Sequence, residues 1–133
     1  MSHENIELFK QGIDAFNRLD VEAYAQIVTP DFEWFPAMPA TVEGGGYRGR
    51  SGIETYYREV RDTWSELRVT IDEYRDLGDR MVALGRLQGC GIGSGVEVDT
   101  PLGIVVEMRE QKVSRSTAYF DHGEALRAAG LSE

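Results

Sequence analysis

The sequence predicts a single cone-shaped α+β domain that spans residues 1–133 and encloses a half-open pocket. Two observations carry this prediction. Apolar residues recur at helical spacing in the first half of the chain and alternate with polar residues in the second half. The length of 133 residues is the usual size of one domain with one core. Helices followed by a run of strands are typical of an α+β protein.

Three helices are expected in the first half of the chain. Asp20 can cap the second of them, a short helix that Pro30 ends. Residues 51–54, Ser-Gly-Ile-Glu, form a capping box at the start of the third. The first helix places four apolar residues on one face: Ile6, Phe9, Ile13 and Phe16.

A short strand is expected at residues 31–35. The remaining strands are expected in the region beyond Leu67. Between residues 96 and 108 the even positions are mostly apolar, and the charged residues Glu97, Asp99 and Glu107 fall on odd positions, which predicts a half-buried antiparallel strand. Residues 112–120 form the last strand, and Asp121 then opens a short helix. Three short helices cover only part of such a sheet, so a hollow remains where a ligand can bind.

Charge and cysteine content exclude several classes of function. The net charge of −9 argues against a nucleic-acid partner, because phosphate binding needs clustered Lys and Arg. No apolar run approaches the roughly 20 residues of a membrane span, and no secretory leader is visible, so we expect a cytoplasmic location. Cys90 is the only cysteine, and no spacing resembles a metal site; neither a metal nor a cofactor is expected.

Five stretches of the chain resemble the SnoaL-like proteins of the nuclear transport factor 2-like superfamily. The resemblance implies three N-terminal helices packed on a strongly curved mixed or antiparallel sheet, with a short C-terminal helix. The superfamily includes steroid isomerases, polyketide cyclases, epoxide hydrolases and transport adaptors, so the fold alone does not define a function. The stretches are 15–20 (AFNRLD), 30–34 (PDFEW), 47–53 (YRGRSGI), 91–97 (GIGSGVE) and 124–130 (EALRAAG).

The resemblance also indicates where acid–base residues would stand. The tyrosine, the aspartate base and the protonated aspartate of the steroid isomerases correspond here to Gly12, to Phe35 or Pro36, and to Ile104. The histidine and aspartate of the cyclases correspond to Ile104 and Ala118. None of these side chains can transfer a proton. Whether the chain is an enzyme therefore stays open, and isomerase-, cyclase- or hydrolase-like proton transfer is the expected class if it is one.

An apolar pocket with one arginine and one glutamine is the remaining expectation. It would suit a flat, cyclic, apolar ligand with a carbonyl or acidic group, although the same side chains could form a plain core. Arg86 is either a donor to such a ligand or the partner of Glu33 or Asp99 in an ion pair. The expected lining residues are Arg86, Gln88, Tyr57, Trp34, Tyr56, Trp64, Leu84, Leu102, Ile104, Ala118 and Phe120.

Two further alternatives concern individual positions. By the resemblance, Tyr57 stands where the steroid isomerases have a tyrosine that supports their hydrogen-bond network; it is otherwise a core residue. Asp121 and His122 could form an acid–base pair, but Asp121 stands three residues before Glu124 at a helix start, which favours a helix cap. Adjacent strand residues also point to opposite faces, so the two side chains would not converge.

The alternative to a ligand pocket is a non-catalytic module that pairs as a homodimer, as family members do through the outer face of the sheet. The expected contacts there are Met81, Ala83, Leu87 and Val105.

Overall fold

A computed structural model describes residues 2–38 and 45–131 of the chain and confirms the α+β fold. Helices dominate the first half and long strands the second. None of the helices in these two ranges is long and apolar enough to cross a membrane. The elements are α1 (Ser2–Arg18), α2 (Val21–Ala25), β1 (Val28–Phe35), β2 (Tyr47–Arg48), α3 (Gly49–Thr63), β3 (Trp64–Asp76), β4 (Arg80–Gly91), β5 (Glu97–Arg109), β6 (Lys112–Tyr119) and α4 (His122–Ala128).

The six strands form one mixed sheet in the order β2-β1-β6-β5-β4-β3. Strands β1 and β6 run parallel, and every other neighbouring pair is antiparallel. The carboxylate of Glu33 on β1 accepts hydrogen bonds from Arg48 on β2 (2.6 Å) and Arg115 on β6 (2.8 Å). This carboxylate therefore ties three neighbouring strands together at one end of the sheet.

Local capping chemistry sets two of the helix starts. Asp20 accepts a hydrogen bond from the backbone N–H of Ala23 (3.0 Å), as predicted for the cap of α2. Helix α3 begins at Gly49 and not at the predicted Ser51, and no side chain caps it. Gly49 has a φ of +63°, a conformation that glycine adopts without strain, and this turns the chain from β2 into the helix two residues early.

Apolar side chains lie on both faces of the sheet. We call the face toward α1–α3 the inner face and the opposite one the outer face. The larger core cluster fills the inner side and includes Phe9, Phe32 and Val106. A smaller cluster lies on the outer face beneath α4 and contains Val82, Leu84, Val105, Ala125, Leu126 and Ala129.

The register between β4 and β5 corrects the predicted faces of β4. Residues directly opposite each other in an antiparallel pair share a face, and Ala83 lies opposite Ile104. The odd residues of β4 therefore share the inner face with the even residues of β5. The sequence had suggested that even residues of both strands point inward. That assignment was wrong because the phase of each strand was set separately, whereas a one-residue change of register exchanges the faces.

The same correction removes the expected dimer contacts from the outer surface. Met81, Ala83 and Leu87 belong to the inner core cluster. Val105 does face outward, but it packs beneath α4. The homodimer itself stays a prediction, without the apolar contacts that had suggested it.

Strand β3 contains a bulge where it faces Gly85 of β4. The register shifts between Ile71 and Glu73, and a bulge of this kind bends and twists a strand. A Cβ atom at position 85 would stand 1.8 Å from the carbonyl oxygen of Thr70. Only glycine allows the two backbones to approach this closely, so Gly85 is required for the local bend of the sheet.

Candidate functional site

A cavity lies between the inner face of the sheet and helices α1–α3. The void between its lining atoms, counted out to the open mouth, is about 680 Å³, and about 60 Å³ of it can hold the centre of a water molecule. The hollow expected from partial coverage of the sheet is therefore present, as a narrow cavity with an open mouth.

The wall of the cavity is mostly aromatic and aliphatic. Eight of its eighteen residues are aromatic, and none is charged. The helices contribute Phe9, Ile13, Phe16, Tyr24, Ile53, Tyr56 and Tyr57. The strands and the residues that follow them contribute Phe32, Trp34, Ala37, Met38, Val69, Leu87, Leu102, Ile104, Ser116, Ala118 and Phe120.

The structure brings seven of the eleven predicted lining residues together in this wall: Trp34, Tyr56, Tyr57, Leu102, Ile104, Ala118 and Phe120. It separates the other four from it. Leu84, Arg86 and Gln88 lie on the outer face, because the register of β4 places them there. Trp64 begins β3 and packs against the inner core cluster without lining the cavity.

Arg86 forms an ion pair with Asp99, one of the two alternatives predicted for it. The two N–H groups Nε and Nη2 of Arg86 lie 2.8 and 2.7 Å from Asp99 Oδ1, and the arginine side chain is 48% exposed. The amide of Gln88 lies 3.5 Å from the other carboxylate oxygen. This cluster stands in water on the outer face, so the expectation that Arg86 and Gln88 enter the pocket was wrong.

Asp121 and His122 do not form an acid–base pair at the cavity. Asp121 Oδ1 accepts hydrogen bonds from the backbone N–H groups of Gly123 (2.7 Å) and Glu124 (3.3 Å), as a helix cap does. His122 Nε2 lies 2.8 Å from the carbonyl oxygen of Gly85. Asp121 therefore caps α4, and His122 connects the start of this helix to β4.

Acid–base groups are missing from the described lining of the cavity. Ile104 and Ala118 do line it, at the positions where the resemblance implied proton-transferring residues. No carboxylate or imidazole replaces them among the described lining residues. Within residues 2–38 and 45–131, no three His, Cys, Asp or Glu side chains stand together in a way that could hold a metal ion.

Three polar atoms of the cavity wall are buried and have no hydrogen-bond partner in the described part of the chain: Tyr57 OH, Ser116 Oγ and Trp34 Nε1. Tyr57 is 3% exposed and Ser116 is fully buried. A buried polar group without a partner costs roughly 1–3 kcal/mol. Groups of this kind in a native fold call for an explanation, and a role in binding a ligand is one.

The tyrosine hydroxyls of the cavity stay protonated. Burial, above all, raises the pKa of Tyr24, Tyr56 and Tyr57 over the ordinary value of 10.0. Ser116 beside Tyr24, and Trp34 beside Tyr56, lower those two pKa values slightly. Neither contact has hydrogen-bond geometry that would satisfy the serine oxygen or the indole N–H. The wall therefore offers neutral donors.

The polar member of the wall that sequence analysis missed is Ser116. It shares strand β6 and its inward face with Ala118, and it pairs in register with Trp34 of β1. A serine among inward-facing residues was a usable signal. Tyr24 and the α1 residues Phe9, Ile13 and Phe16 had been placed on apolar helix faces, but nothing in the sequence showed which of them would border a void.

Comparisons with known proteins agree with this architecture. The sequence model of the SnoaL-like domain matches residues 9–116. An NTF2-like protein of unknown function from Burkholderia pseudomallei K96243 is 22% identical, over 93% of this chain and 95% of its own, with a TM-score of 0.78. A protein from Jannaschia sp. CCS1, described as a SnoaL-like polyketide cyclase, is 18% identical, over 90% of this chain and 87% of its own, with a TM-score of 0.76.

A third solved structure is that of TerC co-crystallised with polyporic acid. TerC is 26% identical to this chain, and the match covers 89% of this chain and 92% of TerC, with a TM-score of 0.78. No curated protein sequence matches the chain.

Proposed function

Because the chain belongs to the SnoaL-like domain family, we propose that it binds a flat, mostly apolar small molecule in the cavity between the sheet and α1–α3. The observation that carries this proposal is the wall itself: an aromatic lining around a void with an open mouth. Aromatic side chains offer large, rigid contact surfaces to a flat ligand. A fold that served only as a scaffold would gain stability by filling this void.

The wall supports binding better than acid–base catalysis. The described lining residues supply hydroxyl and indole donors but no carboxylate and no imidazole. Such donors can orient a ligand oxygen or stabilise charge that develops on it. Isomerase- or cyclase-like turnover would need a base from elsewhere, such as the ligand itself. We therefore expect binding without measurable turnover of simple enolisable ketones between about pH 5 and 9.

A cavity-filling substitution tests where the ligand binds. Flat aromatic ketones, such as 2-acetylnaphthalene, are suitable first probes. Ala118 lines the cavity and is 7% exposed, so Ala118→Leu would occupy ligand space. Ala128, exposed on α4, provides the matched control Ala128→Leu.

We expect Ala118→Leu to weaken binding at least tenfold, measured by calorimetry or by quenching of the Trp34 fluorescence, while Ala128→Leu binds like the parent. Equal binding by both variants would place the ligand outside the cavity and overturn the proposal. Thermal unfolding checks that Ala118→Leu is folded. If it is not, Ala118→Val adds less volume and takes its place.

A further inference from the structure

We propose that the cavity selects uncharged ligands that carry a hydrogen-bond acceptor, such as aromatic ketones, and rejects carboxylates of the same shape. This inference rests on the binding function proposed above and narrows its ligand class. It follows from the chemistry of three unpartnered groups, from the absence of charge in the described wall, and from the charges that lie just behind it.

The unpartnered groups require an acceptor. An indole N–H can only donate, so the one partner that can satisfy Trp34 Nε1 is an acceptor atom. Ser116 Oγ and Tyr57 OH can donate as well. Trp34 and Ser116 face each other across β1 and β6 in register, while Tyr57 comes from α3 on the helical side. Residues that carry unpartnered donors therefore stand on both walls of the cavity.

The described wall offers no positive charge to a bound anion. None of its eighteen residues is Lys, Arg or His. Three arginines of the sheet already have carboxylate partners outside the cavity: Arg48 and Arg115 pair with Glu33, and Arg86 pairs with Asp99. Burying a carboxylate without a cation costs several kcal/mol or more, far above the cost for a carbonyl group.

Negative charges lie behind the helical side of the cavity. Burial is the main reason for the raised pKa of Tyr57, and the carboxylate of Asp20, which is paired with Arg18 at 2.9 Å, adds to the rise. Burial is likewise the largest cause of the raised pKa of Tyr56, and the carboxylate of Glu59 also raises it. A field that opposes a negative charge on these hydroxyls also opposes a negative charge on a ligand beside them. The net charge of −9 acts in the same direction at longer range.

Three naphthalenes with substituents of similar shape test the inference directly. 2-Acetylnaphthalene carries a neutral acceptor, 2-naphthoate a carboxylate, and 2-isopropylnaphthalene no acceptor. Their dissociation constants are measured at about pH 8, where the carboxylate is ionised. We expect the ketone to bind at least 30-fold more tightly than the carboxylate and at least fivefold more tightly than the hydrocarbon.

Variants identify the groups responsible for the preference. In Tyr57→Phe/Ser116→Ala, or in Trp34→Phe, the advantage of the ketone over the hydrocarbon should fall to less than twofold, whereas the hydrocarbon keeps its affinity. Tyr47→Phe is the control and should retain the full advantage, since Tyr47 does not line the cavity.

The outcomes separate this inference from the proposed function. If 2-naphthoate binds as tightly as the ketone, selection against charge is wrong while the cavity remains a ligand site. If ketone and hydrocarbon bind equally, or if no donor variant changes their ratio, the donors do not engage the ligand and the inference fails. If none of the three compounds binds, the proposed function fails and the inference falls with it.

Discussion

Removal of the Tyr57 hydroxyl should stabilise the ligand-free protein. The side chain is 3% exposed, and its hydroxyl has no hydrogen-bond partner in the described residues. Its ring packs edge-on against Phe16 (5.6 Å between centroids) and Tyr24 (5.9 Å), contacts that phenylalanine keeps. An unsatisfied buried hydroxyl costs roughly 1–3 kcal/mol. With an allowance for the contacts of the lost oxygen, Tyr57→Phe should raise the free energy of unfolding by about 1 kcal/mol.

The effect is large enough to measure by thermal unfolding. Unfolding entropy is about 2.1 cal/mol/K per residue, or roughly 0.28 kcal/mol/K for a chain of this length. A gain of about 1 kcal/mol therefore raises Tm by about 4 °C. The assay is calorimetry or circular dichroism at neutral pH, with no ligand added.

Tyr47→Phe is the matched control, because it makes the same chemical change at the same exposure. Tyr47 is also 3% exposed, but its hydroxyl donates to Glu59 Oε1 at 2.6 Å. Hydrogen bonds to charged groups contribute roughly 1.5–3 kcal/mol. Tyr47→Phe should therefore lower Tm by about 5–10 °C. The two substitutions are expected to have opposite signs.

A fall in Tm for Tyr57→Phe comparable to that of Tyr47→Phe would refute the reasoning. It would mean that the Tyr57 hydroxyl is satisfied in the free protein, for example by ordered water in the cavity. Its use as a donor held ready for a ligand would then have no basis.

Three other predictions concern pH and backbone packing. The hydrogen bond to Arg115 is the main cause that holds the pKa of Glu33 below its ordinary 4.5. The contribution of Glu33 to the free energy of unfolding is therefore present above pH 4.5 and is lost as pH falls further. In urea unfolding between about pH 3 and 6, Glu33→Gln should lose less stability on acidification than the parent. The pKa of each buried cavity tyrosine is raised above 10.0, so stability declines as pH rises beyond that value, and their tyrosinate absorbance should appear only as the protein unfolds. Gly85→Ala should cost about 3 kcal/mol or more in chemical unfolding because its Cβ meets the Thr70 carbonyl, whereas Gly93→Ala, with open space and a φ of +77°, should cost about 1 kcal/mol.

The sequence predicted correctly those features that depend on residues close to one another along the chain. The change from helical to strand periodicity gave the α+β order, and Asp20 and Asp121 cap helices as their spacing indicated. The start of α3 was misplaced because residues 51–54 satisfy the capping pattern without forming the cap. The φ of +63° at Gly49 starts the helix earlier, and a single sequence does not show which glycine will adopt such a conformation.

The predicted lining residues of β1, β5 and β6 do line the cavity, whereas those of β4 do not. Both faces of β4 are apolar, with Val82 and Leu84 on one side and Met81 and Ala83 on the other. Periodicity cannot choose between two apolar faces. The choice comes from pairing with β5, whose register depends on the connection at residues 92–96. Arg86 was placed in the pocket for this reason alone.

The groups that remain in the cavity distinguish a ligand site from a scaffold. Ile104 and Ala118 stand where acid–base residues would be expected, and the described lining residues include no carboxylate and no imidazole. Yet the wall keeps the Tyr57 hydroxyl, the Ser116 hydroxyl and the Trp34 indole N–H buried and unpaired. Phenylalanine and alanine at those positions would preserve most of the packing and remove an unfavourable term of roughly 1–3 kcal/mol each. An arrangement that lowers stability in the free protein, at residues that line a cavity, is accounted for if a ligand completes the hydrogen bonds.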